Sequence, residues 1–151
     1  MRRNCSIFVC GVAILTVALA FLGCGGLEVG EVDTKPLKLV GLYPQTGETV
    51  SAQDLMVIVV FSETVGFGSS STDVNETTFY LEDDNQNPVA GTVDDSEPDP
   101  QKATALLKLD DPLVSGETYW VVLESTIQGT DANGEATEPL GDKIRSFFVV
   151  E

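Results

Sequence analysis

The sequence predicts an all-β domain of seven short strands, a sandwich or barrel, behind a signal segment and a linker. Three observations carry this. Seven β-prone runs lie between clusters of Gly, Pro, Asn and Asp, as short strands between tight turns require. None of them shows an apolar 3.6-residue period. In three of them, every second position gives a wholly apolar candidate core face.

The chain opens with Arg2 and Arg3, followed by an almost wholly apolar run from Ile7 to Leu22, broken only by Gly11 and Thr16. A basic head, an apolar stretch and a small residue before a cut form a secretory signal. The run of sixteen residues falls short of the ~17–25 that span a bilayer, which argues against an uncleaved anchor. A twin-arginine signal is disfavoured because the residues that should follow the arginine pair are absent. The segment Phe21-Leu22-Gly23-Cys24 resembles the lipobox of bacterial lipoproteins, with Phe21 where leucine is commonest. That resemblance implies cleavage after Gly23, a diacylglycerol on the Cys24 thiol and an acylated Cys24 amine. It makes residues 1–23 a signal peptide and Cys24 the lipid-attachment site. Gly25, rather than Asp, follows the cysteine, which by the same resemblance points to the outer membrane in a cell that has one. Cys5 and Cys10 would leave with the signal, so the domain would hold neither thiol nor disulfide.

Residues 24–36 read as the lipidated cysteine and a flexible linker, with Gly25, Gly26, Gly30 and Pro36 and no period. A tether of about twelve such residues spans roughly 20 Å, enough to lift a small domain off the headgroups.

The domain itself is expected over 37–151. Leu37–Leu42 is a short β-prone segment. Leu55–Phe61 is continuously apolar and β-branched, as a fully buried strand would be, with Leu55, Val57, Val59 and Phe61 on one face. Thr77–Glu82 carries Phe79, Tyr80 and Leu81, and Val89–Val93 follows the turn pair Asn87-Pro88. Ala103–Leu109 places Ala103, Ala105, Leu107 and Leu109 on one face and Thr104 and Lys108 on the other. Thr118–Glu124 places Tyr119, Val121 and Leu123 inward, leaving Trp120 on the more polar face as a candidate exposed aromatic. Ile144–Val150 is ambiguous, because Phe147 and Phe148 alternate. Ser70–Asn75 has room for one helical turn.

Residues 38–151 resemble the bacterial Ig-like domain of S-layer proteins, the SbsA-like type. The resemblance rests on Tyr43-Pro44-Gln45-Thr46-Gly47, on Val59-Val60-Phe61-Ser62-Glu63 and on Thr78-Phe79-Tyr80-Leu81. It continues through Val89-Ala90-Gly91-Thr92-Val93, Leu113-Val114-Ser115-Gly116-Glu117-Thr118-Tyr119, Asp131-Ala132-Asn133-Gly134 and Ser146-Phe147-Phe148-Val149. It implies a seven-stranded Ig-like or fibronectin-like sandwich. The Leu113…Tyr119 spacing also has a physical reason: a Tyr near the start of the sixth strand can turn its hydroxyl back to the preceding backbone, a tyrosine corner.

Charge and composition narrow the function. The chain holds 24 acids, 8 bases and no histidine, a formal −16, and past residue 23 only six bases remain against all the acids. A nucleic-acid binder needs a basic stripe that is missing here. There is no imidazole base, no thiol in the domain and no Gly-x-Ser-x-Gly elbow, so no enzyme is expected. No cofactor is expected, and no phosphate-cradling glycine loop is present. The alternative is a calcium-dependent module for glycan or protein. Its oxygen ligands would come from Glu82-Asp83-Asp84, from Asp94-Asp95-Ser96-Glu97-Pro98-Asp99 or from Asp131-x-Asn133-x-Glu135. The last of these lacks the EF-hand glycine, since Ala136 stands there, and has Asp142 in place of the final Glu. The bland reading is a solvated acidic surface that keeps the domain soluble, and no metal ligand is assigned. Asn75-Glu76-Thr77 matches the glycosylation triplet by chance. The expected role is a cell-envelope lipoprotein held in the membrane by its lipid, presenting one Ig-like domain to a protein partner in the envelope. Docking by a sheet edge is one way it would do so.

Overall fold

Alternation is realised as two facing sheets in the computed structural model, which describes residues 35–53, 55–94 and 103–151. In chain order the strands are β1 (Leu39–Tyr43), β2 (Thr49–Val50), β3 (Met56–Phe61), β4 (Thr64–Val65), β5 (Phe79–Asp83) and β6 (Pro88–Val89). They continue as β7 (Gly91–Asp94), β8 (Thr104–Leu109), β9 (Thr118–Leu123), β10 (Gly129–Thr130) and β11 (Ile144–Val150). One sheet runs β1-β3-β8-β7, the other β2-β11-β9-β5-β6, and β10 pairs with β4 in a small third ladder. Within the two large sheets every pairing is antiparallel except β2 with β11.

The faces assigned by parity meet in the middle. Val57, Val59 and Phe61 of β3, Ala105 and Leu107 of β8, and Tyr119, Val121 and Leu123 of β9 are buried in one core cluster. Phe79 and Leu81 of β5 and Phe148 of β11 close it from the second sheet. The ambiguity in β11 resolves with Phe148 fully buried and Phe147 outside. Each of the large core side chains contributes about 1.5–3 kcal/mol through removal from water. Every member of the cluster lies between Leu37 and Val150, so the unit Thr34–Glu151 closes its own core. Buried polar groups are satisfied: Thr78 Oγ1 donates to Asp73 O at 2.7 Å, Thr137 Oγ1 accepts from Gly129 N at 2.9 Å, and Ser146 and Thr46 share a 2.6 Å hydroxyl pair.

Three expectations are corrected. Val89–Val93 is not one strand. Its first part pairs with β5 as β6, and after Ala90 its second part pairs with β8 as β7, so the chain changes sheets there. Gly91 permits the crossing, since a Cβ at that position would lie 2.8 Å from the Lys108 carbonyl oxygen. The second correction concerns Leu55–Phe61, which is buried on one face only. Met56 is 44% exposed, and Ile58 and Val60 are partly exposed on the outer side. No helical turn forms over Ser70–Asn75, which is a run of turns and bends.

Candidate interaction surface

The turn before β9 shows how local sequence sets the frame. Gly116, at φ +86°, turns the chain, and its N–H donates to Val150 O at 2.7 Å. Tyr119 then points its hydroxyl back, where it accepts from the Val114 N–H at 3.1 Å, the expected tyrosine corner.

On the outer face of the five-stranded sheet, the register aligns Tyr80, Val122 and Arg145 in one row and Glu82, Trp120 and Phe147 in the next. Trp120 is half-buried rather than a bare platform. The Arg145 guanidinium lies 4.7 Å from its ring centroid and the Phe147 ring 5.4 Å away, tilted by 50°. Its indole N–H makes only a long 3.5 Å contact to Asp84. Arg145 is held in place by Glu82, 2.7 Å away. Beside this row, Lys143 bonds Glu124 at 2.8 Å, and Tyr80 donates its hydroxyl to the same carboxylate oxygen at 2.8 Å. The Lys143 hydrogen bond, helped by Tyr80, holds the Glu124 carboxyl below the usual range against the opposing effect of burial. Desolvation, then the hydrogen bond to Glu124, pushes the Tyr80 phenol up. Val122 points outward yet is completely buried. The centre of this face is therefore covered by its own side chains, although Phe147 remains 36% exposed.

The acidic loops spend their carboxylates locally. Asp83 Oδ1 accepts the N–H groups of Asn85 and Asn87, both at 2.8 Å, and Oδ2 accepts the Asn87 side-chain amide at 2.9 Å. Asp131 repeats the pattern: Oδ1 takes the N–H groups of Asn133 and Glu135 at 2.9 Å, and Oδ2 takes the Asn133 amide at 3.2 Å. The Asp131-x-Asn133-x-Glu135 alternation is thus a turn clamp. The Asn87 amide contributes most to lowering the Asp83 carboxyl, and the Glu135 N–H most to lowering Asp131. Glu82 is committed to Arg145, and Asp94 to Lys108. Among the described residues, no group of three or more acids or cysteines converges on a point fit for a cation. Asp95 to Asp99 and Cys24 lie outside the described residues.

Asn75 is a hub. Its Nδ2 donates to the carbonyls of Gly68 at 3.0 Å and Ser70 at 2.9 Å, with a longer 3.4 Å contact to Asp73 O, while Oδ1 accepts the N–H and hydroxyl of Thr77. An amide so engaged organises the loop between β4 and β5 and is poorly placed to accept a glycan.

The outer face of the four-stranded sheet differs from all of these. Tyr43, Met56, Ile58, Val60 and Leu106 share it, with Val40 beside them at a bulge between Leu39 and Gly41. Val40 is 62% and Tyr43 43% exposed. A cleft of about 270 Å³ at one end is lined by Tyr43, Ser51, Gln53, Met56 and Ile58. Sequence reasoning missed this surface, because an apolar run shows that a strand is apolar on both faces and not that both faces are covered.

Residues 33–147 match the family described as bacterial Ig-like domain. This chain belongs to that family. Among solved structures, the bacterial Ig-like domain is similar to CopC from Methylosinus trichosporium OB3b, at 16% identity and a TM-score of 0.52. That match covers 76% of this chain and 93% of the other. It is also similar to the S-layer protein SbsC: one structure matches at 21% identity and TM-score 0.44, covering 76% of this chain and 13% of that one. Another, of SbsC domains 1–6, matches at 18% identity and TM-score 0.45, covering 91% and 15%. The CopC likeness supports the fold alone. No curated protein is matched by this chain.

Proposed function

We propose that this bacterial Ig-like domain is the exposed part of a cell-envelope lipoprotein, anchored through a lipidated Cys24 and serving structural or protein-binding work rather than catalysis. The observation that carries the anchor is the Gly23-Cys24 junction at the end of the apolar run, behind Arg2 and Arg3. Two or three acyl chains on one residue make anchoring stable where a single chain is marginal. Gly25 after the cysteine favours the outer membrane of a diderm cell. The strongly acidic domain is repelled by anionic headgroups, so the lipid rather than the protein surface holds it down.

The geometry favours a protein partner that meets a sheet face. The edges are poor acceptors of an added strand. The β7 edge has its Val93 N–H capped by the Glu76 carboxylate at 2.9 Å. β6 and β2 have two residues each, one of them Pro88. The β1 edge is interrupted by its bulge. No described cluster favours the calcium-dependent alternative.

The test is fractionation with fatty-acid labelling in a bacterial host. The wild-type chain is expected to take up labelled fatty acid and sediment with membranes, and Cys24→Ser to take up none. Equal labelling of the two chains would sink the reading.

A further inference from the structure

We infer that the outer face of the four-stranded sheet is the docking surface for a partner protein's amphipathic helix, apolar along one face and lysine- or arginine-flanked. This deepens the protein-binding half of the function proposed above and does not depend on Cys24. In a chain with 24 acids, the outward positions of β1, β3 and β8 carry Tyr43, Met56, Ile58, Val60, Leu106 and Thr104, and no carboxylate. The one cation among them, Lys108, is paired with Asp94 of β7. Such a charge-depleted apolar centre is what interface cores have, and exposed patches of this kind mark interaction sites. The opposite, five-stranded sheet roofs its Val122 with its own side chains.

Size and charge select the occupant. β1, β3 and β8 have five or six residues, so the face is about 20 Å long, the length of a helix of roughly thirteen residues. A helix laid on a sheet is the ordinary way to bury an apolar sheet face. The cleft bounded by Tyr43, Met56 and Ile58 offers a seat for one large apolar side chain. Beyond that end stand the exposed Asp110 and Asp111 directly after β8, whereas Lys38 and Glu63 balance one another in sign at the other end. The basic residues of the helix therefore lie toward Asp110 and Asp111. A second copy is the wrong occupant: it would bring another domain in which acids far outnumber bases, six bases against 24 acids past residue 23, and set acidic ends together.

The experiment uses the unit Thr34–Glu151, whose core is its own. The probe is a synthetic amphipathic helix of about fourteen residues with leucine on one face and lysine at its flanks. Amide chemical shifts are expected to move at Tyr43, Met56, Ile58, Val60 and Leu106, while Tyr80, Trp120 and Arg145 stay. Affinity is expected to fall as salt rises. Ile58→Asp should weaken binding at least about tenfold, the cost of burying an unpaired charge. Met56→Asp, at a side chain already 44% exposed, makes the same test where folding is least at risk. Three results would each overturn the inference: shifts centred on the Asp83 and Asp131 loops, unchanged binding by Met56→Asp, or equal binding of a glutamate-flanked peptide.

Discussion

The Val114 N–H donates to the Tyr119 hydroxyl at 3.1 Å, across the turn that delivers the chain into the central strand of the five-stranded sheet. Tyr119 is also stacked on Phe148 with ring centroids 6.1 Å apart, so one side chain fixes both the turn and the core. Tyr119→Phe keeps the packing and loses the hydrogen bond; it should cost about 1 kcal/mol. Tyr119→Ala should cost about 3–5 kcal/mol, as truncation of a buried aromatic does. Urea unfolding of the two variants reads the difference.

Asn75 holds the β4–β5 loop by side-chain bonds on both its amide nitrogen and its oxygen. Asn75→Ala leaves the carbonyls of Gly68 and Ser70 without that donor and should cost about 1–3 kcal/mol. Asn75→Asp retains the acceptor toward Thr77 but loses the donors, so it should be nearly as damaging. Thermal melts of both variants check this, and a wild-type-like Asn75→Asp would show that the donors carry little.

Much of this architecture was legible in the sequence because it follows from alternation. The inward sets of β3 and β9, and Ala105 and Leu107 of β8, were placed by parity, and the tyrosine corner by the Leu113…Tyr119 spacing. What was illegible depends on distant partners. The break at Ala90 arises because Gly91 must approach the Lys108 backbone. The partial burial of Trp120 depends on Arg145, which is brought to it only by the β9–β11 register. Likewise, the open side of β3 is a statement about what does not pack on it, which no local pattern encodes.

Calcium should leave the melting midpoint of the domain unchanged relative to EDTA, with magnesium as control. Asp83 and Asp131 already use both carboxylate oxygens inside their own turns. A calcium-specific rise would require a ligand set that binds the native state alone, and would move the function toward the calcium-dependent module.

Stability should be flat at neutral pH and fall at both ends. Glu124 is lowered from 4.5, chiefly by its Lys143 hydrogen bond, so its contribution is present above that value and is lost as pH falls through the folded-state pKa. Lys143 is raised from 10.5, chiefly by Glu124, and Tyr80 from 10.0, chiefly by desolvation. Their contributions are present below those values and are lost as pH rises through the folded-state pKa values. The pair is partly exposed, so its share is below about 1 kcal/mol. Lys143→Met should flatten the acid limb slightly, which denaturant midpoints between pH 3 and 7 would detect.

The most direct measurement is the intact mass and N-terminal fragment mass of the protein extracted from bacterial membranes. The account predicts a chain beginning at Cys24, heavier than its amino acids by a diacylglycerol and a further acyl group on that residue. An unmodified chain that retains residues 1–23 would contradict it.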